Sequence, residues 1–215
     1  MMAEYRVAVL ASGEGSNLQA LIDQVHQPGI ASIVLVVSDN HQAGALVRAR
    51  THGFPTHALP PLPGEGRRPY HRRLAELVGT AQPQLLVLAG YMRLLPPEFI
   101  AKLSPIINVH PSLLPAFPGL DAPGQAVAQG VKVSGCTVHL VDAGMDTGPI
   151  LMQVAVPVLP GDTGKTLHSR IKVQEHQALV RTVKALAQGR VSKAAGKYVL
   201  EEDYHEDKAS LTQCL

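Results

Sequence analysis

The stretch Arg6–Val25, RVAVLASGEGSNLQALIDQV, decides the fold of this chain. Arg6–Ala11 is an apolar run with the length of a buried strand, and Leu18–Val25 has the apolar spacing of a helix. Ser12–Asn17 joins them through two glycines, which tolerate the backbone angles of a tight turn. This order of strand, glycine turn and helix predicts the first unit of a parallel α/β domain.

The same alternation continues along most of the chain. Further strands are predicted at Ser32–Ser38, Pro55–Leu59, Leu85–Ala89 and Ile106–Val109, and further helices at Ala43–Thr51, Leu74–Val78, Pro97–Leu103 and Thr166–Gln188, the last closed by Gly189. Two segments are predicted to lack regular structure: the proline-rich Leu59–Pro69, as a mobile loop, and the polar Glu201–Leu215, as a loosely ordered tail.

The pattern changes after Gly119. Val133–Val141 and Pro149–Val158 are long apolar runs without a full helix between them, so they predict an antiparallel pair. The predicted fold class is therefore α/β: a mainly parallel, twisted sheet with an antiparallel C-terminal strand pair and helices on both faces.

Composition limits the classes of protein that fit. A length of 215 residues with 46% hydrophobic residues suits one compact domain. The formal net charge is only +2 and the basic cluster at Arg67, Arg68, Arg72 and Arg73 is local, so charge gives weak grounds for a nucleic-acid partner. Two cysteines make neither a disulfide framework nor a zinc signature. With no signal-like start and no long apolar span, we expect a cytoplasmic protein without membrane contact.

The glycine turn Ser12–Asn17 is a candidate anion site. Its backbone N–H groups, the following helix N-terminus and the side chains of Ser16 and Asn17 suit a phosphate. A dinucleotide fingerprint fits poorly, because the third glycine is missing and Asp39 lies only loosely in the place of the usual acidic residue. The alternative is a turn that needs glycine for steric reasons alone.

Asn108 and His110 are candidate catalytic side chains. They lie two residues apart where an apolar run ends, so a strand would point both at one spot. An amide donor and an imidazole are the minimum equipment for stabilising and protonating a reacting carbonyl. Pro111 and Pro115 end the strand and stiffen the chain beyond it.

The loop Val141–Pro149 carries Asp142 and Asp146 between two predicted strands. Taken alone, its glycines and aspartates fit a plain turn. If the loop borders His110, however, a carboxylate from Asp146 would favour the imidazolium and could accept a proton.

The other histidines show no metal-ligand spacing and are assigned to surface or helix packing. They are His26, His41, His52, His57, His71, His139, His168, His176 and His205.

Five motifs together give the chain a family resemblance: SGEGSNLQ (12–19), LAGYMRLL (88–95), NVHPSLLP (108–115), DAGMDTGP (142–149) and QEH (174–176). From Val7 to Gly189 it resembles the folate-dependent glycinamide ribonucleotide formyltransferases. The resemblance implies a Rossmann-like formyltransferase fold and 10-formyltetrahydrofolate as co-substrate, with no metal. It further implies formyl transfer to the glycyl amine of a ribonucleotide phosphate.

Roles carried over from the family match those suggested by chemistry. Asn108 and His110 would stabilise and protonate the oxyanion, and Asp146 would hold His110 charged. The nucleotide would contact Gly15, Ser16, Asn17, Pro111, Lys172, Gln174 and Glu175, with the phosphate on the glycine turn and Lys172, and the ribose hydroxyls on Glu175. The folate would contact Asn108, Met92, Leu94, Leu95, Val141, Asp142, Ala143, Gly144 and Met145, with its glutamate end on Arg67 and Arg93; Arg68 competes with Arg67 for that role.

The resemblance implies a formyltransferase domain over residues 1–189, with a phosphate-binding half at about 1–100 and a catalytic, folate-binding half at about 101–189, and a C-terminal extension over 190–215. We expect small-molecule substrates only, no nucleic acid, and a monomer or homodimer. One departure is the lack of histidine in Gly119–Gln125, where family members often carry one, and it predicts modestly altered kinetics. Three alternatives stay open: a methionyl-tRNA formyltransferase, a formyltetrahydrofolate hydrolase, and a nucleotide-binding module without catalysis.

Overall fold

The computed structural model describes residues 5–103, 105–194 and 197–201. In this part of the chain the main sheet consists of β1 (Arg6–Leu10), β2 (Ser32–Ser38), β3 (Thr56–Ala58), β4 (Leu85–Leu88), β5 (Ile106–His110), β6 (Val133–Leu140) and β7 (Ile150–Pro157). The helices are α1 (Ser16–Leu21), α2 (Gly44–Thr51), α3 (Arg67–Thr80), α4 (Pro97–Lys102), α5 (Ala122–Ala128) and α6 (Gly164–Ala187). A small antiparallel hairpin follows, β8 (Val191–Ala194) and β9 (Lys197–Leu200).

The strands lie in the order β3-β2-β1-β4-β5-β6-β7. The first five are parallel, whereas β6 is antiparallel to both β5 and β7, which confirms the predicted fold class. The chain moves outward from β1 to β3 and then returns to the other side of β1 with β4. The glycine turn after β1 and the loop after β4 therefore flank a topological switch point, where open α/β sheets bind ligands.

Two hydrophobic cores cover the two faces of the sheet. Val7 and Val9 belong to the core beneath α1, α2 and α6, and Ala8 and Leu10 belong to the core beneath α3 and α4. Alternate residues of one strand thus enter opposite cores, because successive side chains point to opposite faces. The central strand β4, with the sequence LLVL, is apolar and buried throughout for this reason.

Several predicted boundaries are wrong. Helix α3 begins at Arg67, so the end of the predicted loop Leu59–Pro69 is helical; Pro69 is tolerated there because the first turn has no helical partner for its missing N–H. Helix α5 and the hairpin β8–β9 are absent from the sequence-based prediction. The side chain of Asp121 caps α5 by accepting from the Gly124 N–H at 3.3 Å.

Other boundaries agree more closely. Helix α1 continues as a π-helical turn over Ile22–His26, so the two together contain the predicted helix Leu18–Val25. Gly189 follows α6 with φ +67°, the left-handed conformation expected of a C-terminal glycine. Of the predicted loose tail, all residues beyond Glu201 lie outside the described part of the chain. Within that described part, no helix is both long and apolar enough to cross a bilayer.

Candidate active site

Strand β5 brings Asn108 and His110 to the carboxyl edge of the sheet. Both extend the row that starts at Ile106, on the face that α3 and α4 cover, because alternate strand residues share a face. On the neighbouring antiparallel strand β6, His139 lies directly opposite Asn108. Side chains in such directly opposed positions point to the same face, so three polar groups converge at this edge.

The imidazole of His110 is fixed from both sides. Its Nε2 atom lies 2.8 Å from the carbonyl oxygen of Phe117 and its Nδ1 atom lies 3.4 Å from Oδ2 of Asp146. A carbonyl oxygen only accepts, so Nε2 donates to it. The imidazolium form donates from both nitrogens and therefore makes both contacts. The His110 side chain is 6% exposed, so both contacts are sheltered from solvent.

Asp146 is held in an unusual backbone conformation. Its φ angle is +56°, in the left-handed region that residues other than glycine rarely adopt. Its Oδ2 atom accepts a hydrogen bond from the Gly119 N–H at 2.8 Å while also facing His110. The carboxylate is thus aimed at the imidazole by the loop that carries it, a form of strain that is common at functional sites.

His139 is a site residue that the sequence-based assignment to packing missed. Its Nδ1 atom lies 2.9 Å from the Leu140 carbonyl, so Nδ1 donates there and Nε2 is left to accept from the Asn108 amide, 3.3 Å away. Burial lowers the pKa of His139 and favours this neutral form. His139 thereby orients the amide. Only the pairing of β5 with β6, which joins distant residues, could have revealed this contact.

These side chains line a cavity of about 560 Å³. Its apolar wall includes exposed side chains of Met92, Leu94, Leu120 and Met145. The other predicted site residues on its wall are Leu95, Arg93, Asn108, His110, Pro111, Val141, Asp142, Gly144 and Asp146. A second cavity of about 430 Å³ shares Met92, Arg93 and Leu94 with the first and is also lined by Arg67. Ala143 lines neither cavity, and the Asp142 carboxylate accepts from Gly144 N and Thr147 Oγ1 within its own loop.

The glycine turn lies outside the cavity wall. Gly15 has φ +81°, and a Cβ atom there would lie 2.6 Å from Cα of Ala45, so packing against α2 alone requires this glycine. A Cβ atom on Gly13 would meet nothing within 4 Å. The Glu14 carboxylate accepts from Lys172 Nζ at 2.8 Å and lies 3.7 Å from Arg48. Lys172, the predicted phosphate-binding lysine, is therefore paired with Glu14.

Helix α6 connects the cavity with the glycine turn. His168 lines the cavity, and Lys172, one helical turn further on, contacts Glu14. Glu175 is buried, and burial raises the pKa of its carboxyl group to about 7. The side chain of Asn17 hydrogen-bonds this carboxyl group, so Asn17 faces α6. Of the predicted nucleotide contacts only Pro111 lines the cavity; Gln174 lies half-buried on α6.

No group of three or more His, Cys, Asp or Glu side chains in the described ranges is placed to hold a metal ion. The polar side chains that meet around His110 on the cavity wall are thus the Asn108 amide, the His139 imidazole and the Asp146 carboxylate. Together with the switch-point cleft, they define an α/β enzyme suited to group transfer at a carbonyl. The Formyl transferase family profile matches residues 5–183, and the chain belongs to this family.

Known proteins agree with this assignment. The chain is 43% identical over 183 residues to the phosphoribosylglycinamide formyltransferase of Bacillus subtilis, covering 84% of this chain and 94% of that protein. It is 46% identical over 188 residues to the trifunctional purine biosynthetic protein adenosine-3 of Drosophila pseudoobscura pseudoobscura, covering 86% of this chain but only 14% of that much longer protein. The crystal structure of glycinamide ribonucleotide transformylase 1 from Symbiobacterium toebii superposes with a TM-score of 0.89 at 41% identity, over 94% of this chain and 96% of that one. These similarities confirm the predicted family and fold.

Proposed function

We propose that this chain transfers the formyl group of 10-formyltetrahydrofolate to the glycyl amine of glycinamide ribonucleotide, a step of purine biosynthesis. The observation that carries the proposal is that Asn108, His110 and Asp146 line one cavity. In it, Nδ1 of His110 lies 3.4 Å from the carboxylate of Asp146. The similarity to phosphoribosylglycinamide formyltransferases over nearly their whole length supports the choice of acceptor.

The reaction needs few side chains. The unprotonated glycyl amine attacks the formyl carbon, forming a C–N bond and a tetrahedral oxyanion; the bond to N10 of the folate then breaks as N10 takes a proton and the amine loses one. Binding both reactants together can contribute about 7 to 11 kcal/mol through proximity. The Asn108 amide and the His110 imidazolium would stabilise the oxyanion, each by about 3 kcal/mol. Asp146 would keep His110 charged and accept a proton through water.

The cavity fits a folate. Its wall is mainly apolar, as a flat aromatic pterin requires, and it is bordered by the loop 141–146. Arg67 and Arg93 on the adjoining cavity could pair with the carboxylates of the glutamate end. In this arrangement the folate would present its formyl group to Asn108 and His110.

The nucleotide would approach from the glycine turn. Its phosphate would meet the N–H groups around Gly15 and Ser16 and replace Glu14 as the partner of Lys172. Buried Glu175, in its ionised form, could accept hydrogen bonds from the ribose hydroxyls. Asn17 would support Glu175 through their shared hydrogen bond.

The proposal also covers the extent of the catalytic unit, its location in the cell and its partners. We expect the catalytic unit to span residues 1–189, with 190–215 as an extension, and the chain to act in the cytoplasm on small molecules, without nucleic acid, as a monomer or homodimer.

One assay separates this function from its alternatives. The chain is mixed with 10-formyltetrahydrofolate, and folate absorbance is followed with glycinamide ribonucleotide, with initiator tRNA, and with no acceptor. We expect turnover with glycinamide ribonucleotide alone. Turnover with tRNA or without an acceptor would identify a tRNA formyltransferase or a hydrolase, and nucleotide binding without any turnover would leave a binding module.

A further inference from the structure

Asp39 joins two loops at the switch point of the sheet. It follows directly after β2, and its side chain is only 9% exposed. Its Oδ1 atom accepts a hydrogen bond from Ser12 Oγ at 2.6 Å, and its Oδ2 atom accepts one from Arg93 Nε at 2.6 Å. Both carboxylate oxygens are therefore used within the protein.

Ser12 extends this connection to the backbone. Its hydroxyl group donates to Asp39 and accepts from the Met92 N–H at 3.0 Å. Its own N–H donates to the Gly90 carbonyl at 3.1 Å. The first residue of the glycine turn is thus tied at two points to the loop after β4, which carries Met92 and Arg93 into both cavities.

Arg93 is held in a defined orientation by these contacts. Asp39 binds its Nε atom, and the guanidinium lies over the ring of Tyr70, 5.3 Å from the centroid. The Tyr70 hydroxyl in turn hydrogen-bonds the Tyr91 hydroxyl at 3.0 Å. A carboxylate ligand pairs best with two parallel N–H groups of a guanidinium, so binding depends on the direction in which this planar group is turned.

We propose that Asp39 is a positioning residue that turns Arg93 toward the acidic glutamate end of the folate co-substrate. This inference rests on the proposed function, because it concerns the same folate site. Asp39 also offsets the positive charge of Arg93. If neutralisation were its main effect, removing the charge of Asp39 would tighten the binding of an acidic ligand, whereas positioning predicts the opposite result.

Asp39→Asn tests the inference, since asparagine keeps the size of the side chain and can still accept from Ser12. Its amide lacks the charge and the second acceptor that hold Arg93. Charge-assisted hydrogen bonds of this kind predict about a tenfold rise in KM for 10-formyltetrahydrofolate. We expect kcat and the nucleotide KM to change less than about twofold.

A donor that ends in a primary amide in place of glutamate, 10-formyltetrahydropteroyl amide, isolates the positioning effect. We expect wild type and Asp39→Asn to have the same KM for this donor, because it has no carboxylates for Arg93 to bind. A general distortion of the pocket would instead raise KM for both donors and would overturn the inference. An unchanged or lower KM for the intact donor would overturn it as well. Asp23→Asn, at an exposed carboxylate that accepts from Gln19 on α1, is the matched control.

Further variants guard against a folding defect. In an Arg93→Lys background, Asp39→Asn should have no additional effect on the KM for the intact donor, because lysine lacks Nε and the planar group. If Asp39→Asn melts at a much lower temperature than wild type, Ser12→Ala provides a second test and should raise KM about threefold for the intact donor only. If the wild-type chain shows no turnover with glycinamide ribonucleotide, the proposed function itself is rejected. If the wild type is active but Asp39→Asn raises KM equally for both donors, only the role of Asp39 is rejected.

Discussion

Two regions of the molecule, the cluster around His110 and the glycine turn, are held in place by different interactions. The catalytic cluster, defined as Asn108, His110, His139 and Asp146, is largely buried, and strand pairing and directed hydrogen bonds fix its atoms. The glycine turn, Ser12–Asn17, carries the Glu14 side chain, which is 65% exposed and paired with Lys172. From this contrast we infer that the groups that would face a reacting carbonyl are already oriented before substrate binds. A substrate phosphate, by comparison, would replace Glu14 as the partner of Lys172.

The catalytic cluster should give the largest effects. We expect His110→Ala and Asn108→Ala each to lower kcat roughly a hundredfold or more, because each would remove one of the two proposed donors to the oxyanion. Nucleotide affinity, measured by calorimetry, should survive. His57→Ala, on the exposed edge strand β3, is the control and should behave as wild type. Near-normal turnover in either variant would contradict the catalytic role given to this cluster and its contrast with the glycine turn.

The two glycines of the turn offer a matched pair for stability. Gly15→Ala would place a Cβ atom 2.6 Å from Cα of Ala45 at φ +81°, so we expect it to lower the free energy of unfolding by about 2 kcal/mol or more. Gly13→Ala has open space and should leave the melting temperature unchanged while weakening nucleotide binding. Equal stability of the two variants in thermal melts would contradict the packing described here.

Glu175 should make nucleotide binding depend on pH. Burial raises the pKa of this carboxyl group to about 7, and in the proposed complex its ionised form would accept hydrogen bonds from the two ribose hydroxyls. The KM for the nucleotide should therefore fall as the pH rises through about 7. Glu175→Gln should raise this KM about tenfold at pH 8 and remove that part of the pH profile; the ionisation of the substrate phosphate is common to both enzymes.

The same carboxyl group should affect stability with the opposite sign. Because its pKa is higher in the folded chain than in the unfolded one, the folded state holds the proton more tightly. The resulting stabilisation is complete below the unfolded pKa and is lost as the pH rises through about 7. Urea unfolding of the unliganded chain should show this decline, and Glu175→Gln should flatten it.

The smallest expected effect concerns the surface ion pair. Glu14→Gln should lower the KM for the nucleotide by about two- to threefold, because Lys172 becomes available and one negative charge near the phosphate is removed. The difference between variant and wild type should shrink as salt is added. A higher KM in the variant would mean that Glu14 helps to orient Lys172 for the phosphate.

Local patterns in the sequence predicted the parts of the molecule that depend on neighbouring residues. Apolar runs gave the strands, and the two-residue spacing of Asn108 and His110 placed both on one face. His139 was missed, because its role in the site depends on its contact with Asn108, a residue 31 positions away in the sequence. Helix α5 was missed because its sequence, APGQAVA, has weak helical propensity. Its stability instead comes from the Asp121 cap and from the burial of Ala122 and Ala126.

The ladder between β5 and β6 makes the enzyme sensitive to changes in length as well as to substitutions. Inserting or deleting one residue within β6 would bring Val138 or Leu140 opposite Asn108 and turn His139 toward the other core. The same change in the Gly130–Lys132 turn leaves this alternation intact. A single-codon insertion could thus silence the chemistry while most of the sheet still forms, and the place of the insertion would decide which outcome occurs.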